Sequence, residues 1–110
     1  MTKADDDKVF KALADASRRQ LLDRLRLKNG LSLNELAQGH AMSRQAVTKH
    51  LALLEEAGLV TTLRQGREKL HYLNPVPISG IYMRWIGKFE RQRVDALHNL
   101  KQALKEKTDE

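Results

Sequence analysis

Apolar residues in the first third of the chain recur three or four positions apart, which is the spacing of a helix face. Such positions around residues 9–14 and 21–25 predict two helices. Ser17 and Gln20 have the spacing of a capping box and predict the start of the second helix. Asn29-Gly30 predicts its end, because glycine readily adopts the left-handed conformation that closes helices.

Two more helices, a short one and a longer one, are predicted over about residues 32–57. Ser32 and Glu35 form a second capping box, which predicts the start of the short helix. Ser43 can cap the longer helix, whose apolar residues Ala46, Val47, Leu51 and Leu54 share one face, and Gly58 predicts its end. Two helices joined by so short a break are typical of a helix-turn-helix.

The pattern then changes to that of strands. The segment 59–64 is rich in β-branched residues, Gln65-Gly66 predicts a turn, and the segment 70–73 predicts a returning strand. Asn74-Pro75-Val76-Pro77 ends the hairpin, because proline cannot donate a hydrogen bond to a strand ladder. The predicted fold class is therefore mainly α with a two-stranded β-hairpin wing over about residues 59–73, that is, a winged helix-turn-helix.

A long final helix is predicted over about residues 77–106, because its apolar positions keep helical spacing. Such a helix extends about 40 Å at ~1.5 Å per residue, whereas a domain of this size is about 26–30 Å across. Part of its apolar stripe is therefore expected to meet a second subunit, although packing on its own domain alone is the alternative. The residues predicted to form a dimer interface are Phe10, Tyr82, Trp85, Phe89, Leu97 and Leu100.

Length and composition narrow the class of protein. A chain of 110 residues is expected to form a single domain. Its longest apolar run, Leu51–Leu54, is far shorter than the ~18 residues that a membrane span needs, and no secretory leader is recognisable. The absence of cysteine excludes disulfides and thiolate metal sites. We expect a soluble, cytoplasmic protein with no membrane partner and no cofactor.

The positive charge is concentrated in the middle of the chain. The formal net charge is +6 at pH 7, and residues 17–74 hold ten basic and five acidic residues, a net charge of +5. No acidic residue occurs from Ala41 to Leu54, where the second helix of the helix-turn-helix lies. This concentration favours an anionic partner over an ordinary solvated surface.

The predicted partner is double-stranded DNA, read by the helix that begins after Ser43. With Val47 and Leu51 buried, its polar residues share the opposite face, where they can reach base edges in the major groove. Gln45 suits adenine and the Thr48 methyl suits thymine. Arg44 suits guanine or a phosphate, whereas Lys49 is expected to contact phosphate. The wing adds cations that can lie along the backbone or in the minor groove, or that simply protect a strand edge. The predicted DNA-binding residues are Ser43, Arg44, Gln45, Thr48, Lys49, Arg64, Arg67 and Lys69.

Residues 8–104 resemble the ArsR/SmtB family of bacterial winged-helix transcriptional regulators. The resemblance is carried by four segments in the family's order, Phe10–Leu22, Ser43–Leu51, Glu55–Val60 and Gly66–Leu73. It implies a homodimer built mainly from the first and last helices. It also implies binding to an imperfect palindrome in a promoter, usually as a repressor that a signal releases.

The chain departs from the family pattern at several positions. Ala16 stands where proline is usual, and His40 stands at a position that is usually apolar. Ala37 and Gly39 stand where metal-sensing members have thiolates, so that metal site is excluded. Asp95 and His98, three residues apart on the last helix, are weak candidates for a zinc site that two subunits would share. The signal, if there is an inducer, is unknown.

The sequence favours DNA binding over catalysis and over other binding functions. A hydrolase needs a nucleophile, a base and an orienting group, but the four His and four Ser show no recognisable spacing, so no enzyme is expected. A winged helix can also serve as a protein-interaction module, an RNA binder or a non-specific nucleic-acid binder. Arg44, Gln45 and Lys49 on the reading helix favour duplex DNA.

Overall fold

The computed structural model describes residues 3–39, 41–86 and 91–108, and the chain divides into two compact units, Met1–Ile78 and Ser79–Glu110. The predicted fold class is confirmed, since the described residues are mainly helical with one two-stranded antiparallel hairpin. No described helix is long and apolar enough to cross a membrane. The elements in chain order are α1 (Lys3–Leu13), α2 (Ala16–Leu27), α3 (Leu33–Ala37), α4 (Arg44–Glu56), β1 (Val60–Gln65), β2 (Glu68–Leu73), α5 (Val76–Trp85) and α6 (Arg91–Thr108).

The core of the first unit is formed by the apolar sides of its first four helices together with the base of the hairpin. In α2, α3 and α4 the buried side chains lie where helical spacing predicted an inward face, but in α1 Val9 and Ala12 are buried whereas Phe10 and Ala14 are exposed. The removal of the core side chains from water drives the packing of the unit. The largest fully buried side chains are Val9, Leu21, Leu25, Leu36, Val47, Leu54 and Leu59.

Helix α2 begins earlier than the sequence predicted. Its N-cap is Asp15, whose Oδ1 accepts hydrogen bonds from the backbone N–H groups of Ser17 at 2.8 Å and Arg18 at 3.1 Å. The capping box predicted for Ser17 and Gln20 is therefore wrong, because Asp15 caps the helix two residues earlier and takes the Ser17 N–H that the Gln20 side chain was predicted to bind. Ala16 occupies the first helical position, where the family's usual proline is also well tolerated.

The helix-turn-helix is formed by α3 and α4, as predicted. Ser32 caps α3 through a complete capping box with Glu35, and Ser43 caps α4. Gly39 follows α3 with φ of +81°, a left-handed conformation that strains any residue with a side chain. The chain can thus reverse direction before α4. His40 lies outside the described residues.

The wing is the hairpin β1–β2, whose register joins Val60 to Leu73 and Gln65 to Glu68. The turn is therefore Gly66-Arg67, one residue later than the predicted Gln65-Gly66. Leu31 adds a short antiparallel bridge to β2, since its backbone exchanges hydrogen bonds with that of His71. This pairing across 40 residues ties the wing to the chain that leads into α3.

The C-terminal region contains two helices where one was predicted over about residues 77–106. Helix α5 begins at Val76, whose N–H donates to the Asn74 side chain at 3.2 Å, and it ends at Trp85. Helix α6 then extends over Arg91–Thr108. Residues 87–90, between these two helices in the sequence, lie outside the described residues.

Candidate nucleic-acid interface

Helix α4 is held by its apolar side and offers its polar side to solvent. Val47, Leu51 and Leu54 are buried, and a helix that repeats every 3.6 residues points the positions between them outward. The predicted reading residues accordingly lie on the exposed side of this helix. They are Arg44, Gln45, Thr48 and Lys49.

The start of α4 is fixed by Ser43. Its backbone is extended, and its Oγ accepts a hydrogen bond from the N–H of Ala46 at 3.1 Å. A helix start carries further N–H groups and the positive end of the helix dipole, both of which favour an anion. Ser43 is itself exposed, so a DNA phosphate can approach this end of the helix.

Two side chains of α4 have distinct chemistry towards bases. The Thr48 hydroxyl donates to the carbonyl of Arg44 at 2.9 Å, which commits its proton to its own helix and leaves its methyl for contact with a thymine methyl. Gln45 is exposed one turn earlier, and its amide can donate and accept at once, as the major-groove edge of adenine requires.

The wing presents its cations close to the turn. Arg64 lies directly opposite Lys69 in the hairpin register, and Arg67 is the second residue of the turn itself. All three side chains belong to exposed residues. The structure thus brings the wing residues predicted from the sequence together at one end of the hairpin.

A groove of about 430 Å³ separates the wing from α3 and α4. Lys69 of the wing crosses it to Glu55 of α4, with a distance of 3.1 Å between Nζ and Oε1. The sequence pattern did not predict this ion pair, since its partners are 14 residues apart in different elements. The groove is lined by Ser32, Leu33, Asn34, Arg44, Thr48, Leu51, Ala52, Glu55, Arg67, Glu68, Lys69 and His71.

Arg24 of α2 fixes the end of α3, a role that sequence reasoning missed. Its guanidinium donates to the carbonyls of Glu35 at 2.8 Å, Leu36 at 2.5 Å and Gln38 at 3.0 Å. These are the carbonyls that a helix C-terminus leaves without partners, and a cation there also opposes the negative end of the helix dipole. Arg24 therefore sets where α3 stops and where the turn towards α4 begins.

Arg18 and Arg19 of α2 do the same for the end of α1. Arg18 donates to the carbonyls of Ala12 at 2.8 Å and Lys11 at 3.0 Å, and Arg19 donates to that of Leu13 at 2.6 Å. Another Arg18 nitrogen lies 3.2 Å from Nδ1 of His50, so α4 is joined to this contact. No sequence signal marks these residues, because their partners are backbone carbonyls and not acidic side chains.

These contacts reduce the positive charge that residues 17–74 can offer to DNA. Three of the ten basic residues in 17–74 are hydrogen-bonded to helix ends, and Lys69 is paired with a carboxylate. The positive surface available to DNA is thus smaller than the count suggests. Of the six other basic residues, Arg44 and Lys49 lie on α4, Arg64 and Arg67 lie on the wing, and Arg26 and Lys28 lie at the end of α2.

Two carboxylates of the scaffold are ionised more readily than usual. The backbone N–H of Arg18, then that of Ser17, holds the pKa of the Asp15 carboxyl below its usual value, and the charges of Arg18 and His50 add to this. The backbone N–H of Ser32, then its hydroxyl, lowers the pKa of Glu35 in the same way. Asp15 caps α2, and Glu35 belongs to the capping box of α3, the first helix of the helix-turn-helix.

The predicted dimer residues that the structure describes leave much of their apolar surface in solvent. Trp85 is 60% exposed and Leu97 is 67% exposed, and Phe10, Tyr82 and Leu100 are exposed as well. Apolar side chains of this size are typical of surfaces that a partner covers. Phe89, also predicted to belong to this interface, lies outside the described residues.

The weak metal candidates Asp95 and His98 both lie exposed on α6. Within the described ranges, no group of three or more His, Cys, Asp or Glu side chains could hold a metal ion. At the positions of the family's thiolates, Ala37 ends α3 and Gly39 has its left-handed backbone.

Known proteins resemble this chain in both sequence and structure. A family model described as a helix-turn-helix domain matches residues 13–62. The HTH-type transcriptional regulator YuzN of Bacillus subtilis is 41% identical over 86 residues, 73% of this chain and 94% of that protein. The transcriptional repressor SdpR of the same organism is 33% identical over 67 residues, 60% of this chain and 72% of that protein. An ArsR-like regulator from Rhodococcus superimposes with a TM-score of 0.67 at 30% identity, covering 88% of this chain and 92% of that one.

Proposed function

We propose that this chain, which belongs to the ArsR/SmtB family of winged helix-turn-helix transcriptional regulators, is a homodimeric, sequence-specific repressor. The members of this family are DNA-binding regulators and not enzymes. It binds an imperfect palindrome in a promoter, reading the major groove with α4 and following the backbone with the wing. As a regulator of chromosomal DNA, it acts in the cytoplasm.

The acid-free face of α4 carries this proposal. No acidic residue occurs between Ala41 and Leu54, and the exposed side of that stretch offers a base-reading amide, a methyl group and two cations. Hydrogen-bonding side chains on a major-groove helix give sequence selectivity, whereas cations alone give affinity for any duplex. The side chains that do so here are Arg44, Gln45, Thr48 and Lys49.

The proposed dimer is supported by exposed apolar residues on the helices at the two ends of the chain. Phe10 belongs to α1, Tyr82 and Trp85 to α5, and Leu97 and Leu100 to α6. A two-fold dimer carries two copies of α4, so its operator contains two half-sites about one helical turn apart, roughly 34 Å. Repression is the expected direction because a dimer on promoter DNA blocks access to it.

The proposal is tested with the upstream intergenic DNA of the protein's own gene. In fluorescence anisotropy, the wild type should bind that duplex about a thousandfold or more tightly than a shuffled duplex of equal composition at physiological salt. A reporter driven by the same promoter should fall when the protein is expressed. Equal binding to both duplexes would contradict sequence-specific regulation, and a reporter that rises would contradict repression.

A further inference from the structure

The ion pair between Lys69 and Glu55 occupies the groove that lies between the wing and α4. Lys69 Nζ and Glu55 Oε1 are 3.1 Å apart, and the two side chains are 48% and 29% exposed. The same groove is lined by Arg44, Thr48 and Arg67, which belong to the proposed DNA-binding surface. A residue of the predicted DNA-contacting set is thus already engaged by a carboxylate of the reading helix.

The hairpin register explains why Lys69 is drawn to this carboxylate. Lys69 lies directly opposite Arg64, and like charges in opposed positions of a hairpin destabilise it. Glu55 relieves that repulsion from the side of α4. Its neighbour Glu56 lies at a different place, in a cavity lined also by Lys8 and Arg18, so the two acidic residues at the end of α4 have separate environments.

A lysine paired in this way contributes little to DNA binding. For its ammonium to reach a phosphate, it must leave Glu55, and the abandoned carboxylate would then stand beside the negatively charged backbone. The gain from a new phosphate contact is thereby offset by a lost ion pair and a new repulsion. The neighbouring Arg67, at the turn of the wing, carries no such ion pair among the described contacts.

We propose that Glu55 holds Lys69 away from the phosphate backbone, and thereby limits the number of phosphates that the wing neutralises. The inference rests on the proposed function, in which duplex DNA lies along α4 and the wing. Glu55 is in this sense a residue that restrains non-specific affinity, because non-specific binding is almost entirely electrostatic. Lys69 acts as a positioned partner of Glu55 and adds no phosphate contact of its own.

The test is a double-mutant cycle read as the salt dependence of DNA binding. Full-length wild type, Glu55→Gln, Lys69→Gln and the double variant are titrated with a shuffled duplex from 50 to 200 mM salt. Each phosphate contact adds about 0.9 to the slope of log affinity against log salt. Glu56→Gln is the matched control, since it removes the same charge from the adjacent residue of the same helix.

The expected pattern is strongly non-additive. Lys69→Gln leaves the slope of the wild type almost unchanged, whereas Glu55→Gln steepens it by about 0.9, because the lysine is set free. Adding Lys69→Gln to Glu55→Gln removes that gain. Over the salt range used, the change corresponds to about a three- to fourfold additional loss of affinity for Glu55→Gln. Glu56→Gln keeps the wild-type slope.

Two results would overturn the inference. One is a slope that becomes shallower by about 0.9 when Lys69→Gln is made in the wild type, which would make Lys69 an ordinary phosphate contact. The other is equal slopes for Glu55→Gln and Glu56→Gln. Arg67→Ala, titrated alongside, identifies a different failure: if it leaves the slope unchanged, DNA does not follow the wing and the proposed function itself is wrong.

Discussion

Replacing Arg24 by methionine should destabilise the first unit through the loss of one side chain's contacts with three carbonyls. The guanidinium lies 2.5–3.0 Å from the carbonyl oxygens of Glu35, Leu36 and Gln38. Hydrogen bonds to a charged group contribute about 1.5–3 kcal/mol each when buried. Arg24 is half-buried, and water can reach part of the helix end that it leaves. We therefore expect the free energy of unfolding to fall by about 2 kcal/mol, which is near the lower end of the range for one to two such hydrogen bonds.

The assay is thermal unfolding followed by circular dichroism at 222 nm. For a unit of about 80 residues, a loss of about 2 kcal/mol lowers the Tm by about 8–16 °C. Arg26→Met is the matched control, since Arg26 is exposed on the same helix and carries the same charge. Arg24→Lys keeps the charge without the planar fork and should recover only part of the stability. A Tm for Arg24→Met within about 2 °C of that of Arg26→Met would refute the reasoning.

Two further predictions concern the cap of α2 and the dimer. Asp15→Ala should lower the stability at neutral pH, because the folded-state pKa of Asp15 lies below its ordinary value of 3.8. The stabilisation by the carboxylate is therefore fully present above pH 3.8 and is lost as the pH falls through the folded-state pKa. Denaturation curves of wild type and variant should then converge in acid, and a constant difference would contradict the carboxylate's role. Trp85→Asp should sediment as a monomer with α1 to α4 still folded. The control Ser79→Asp, on the same helix, should stay dimeric. A dimeric Trp85→Asp would place the interface elsewhere.

The elements of the helix-turn-helix could be predicted because their signals are local. Ser32 with Glu35, and Ser43 before an apolar face, each satisfy N–H groups within three residues, so the caps can be seen in the sequence itself. The same local reasoning went wrong at α2, where Asp15 caps the helix two residues before Ser17. The Asp15 carboxylate takes the N–H of Ser17, which the predicted capping box had assigned to the Gln20 side chain.

The contacts that hold the interface together could not be predicted, because their partners are distant or have no side-chain signature. Arg18 and Arg24 bind backbone carbonyls of other helices, which every residue carries and no sequence pattern marks. The bridge between Leu31 and His71, and the ion pair of Glu55 with Lys69, depend on how the wing folds back. The exposed faces of α4 and the wing were predictable, whereas the ion pair between Glu55 of α4 and Lys69 of the wing was not.

Base preference measured on two variants tests the central claim most directly. Gln45→Ala and Arg67→Ala are each titrated with the upstream operator and with operators changed at single base pairs. The account predicts that Gln45→Ala loses about 1–3 kcal/mol of discrimination at one position of each half-site, whereas Arg67→Ala weakens binding to every sequence alike. Uniform weakening by Gln45→Ala, with discrimination intact at every position, would contradict the assignment of α4 as the reading helix.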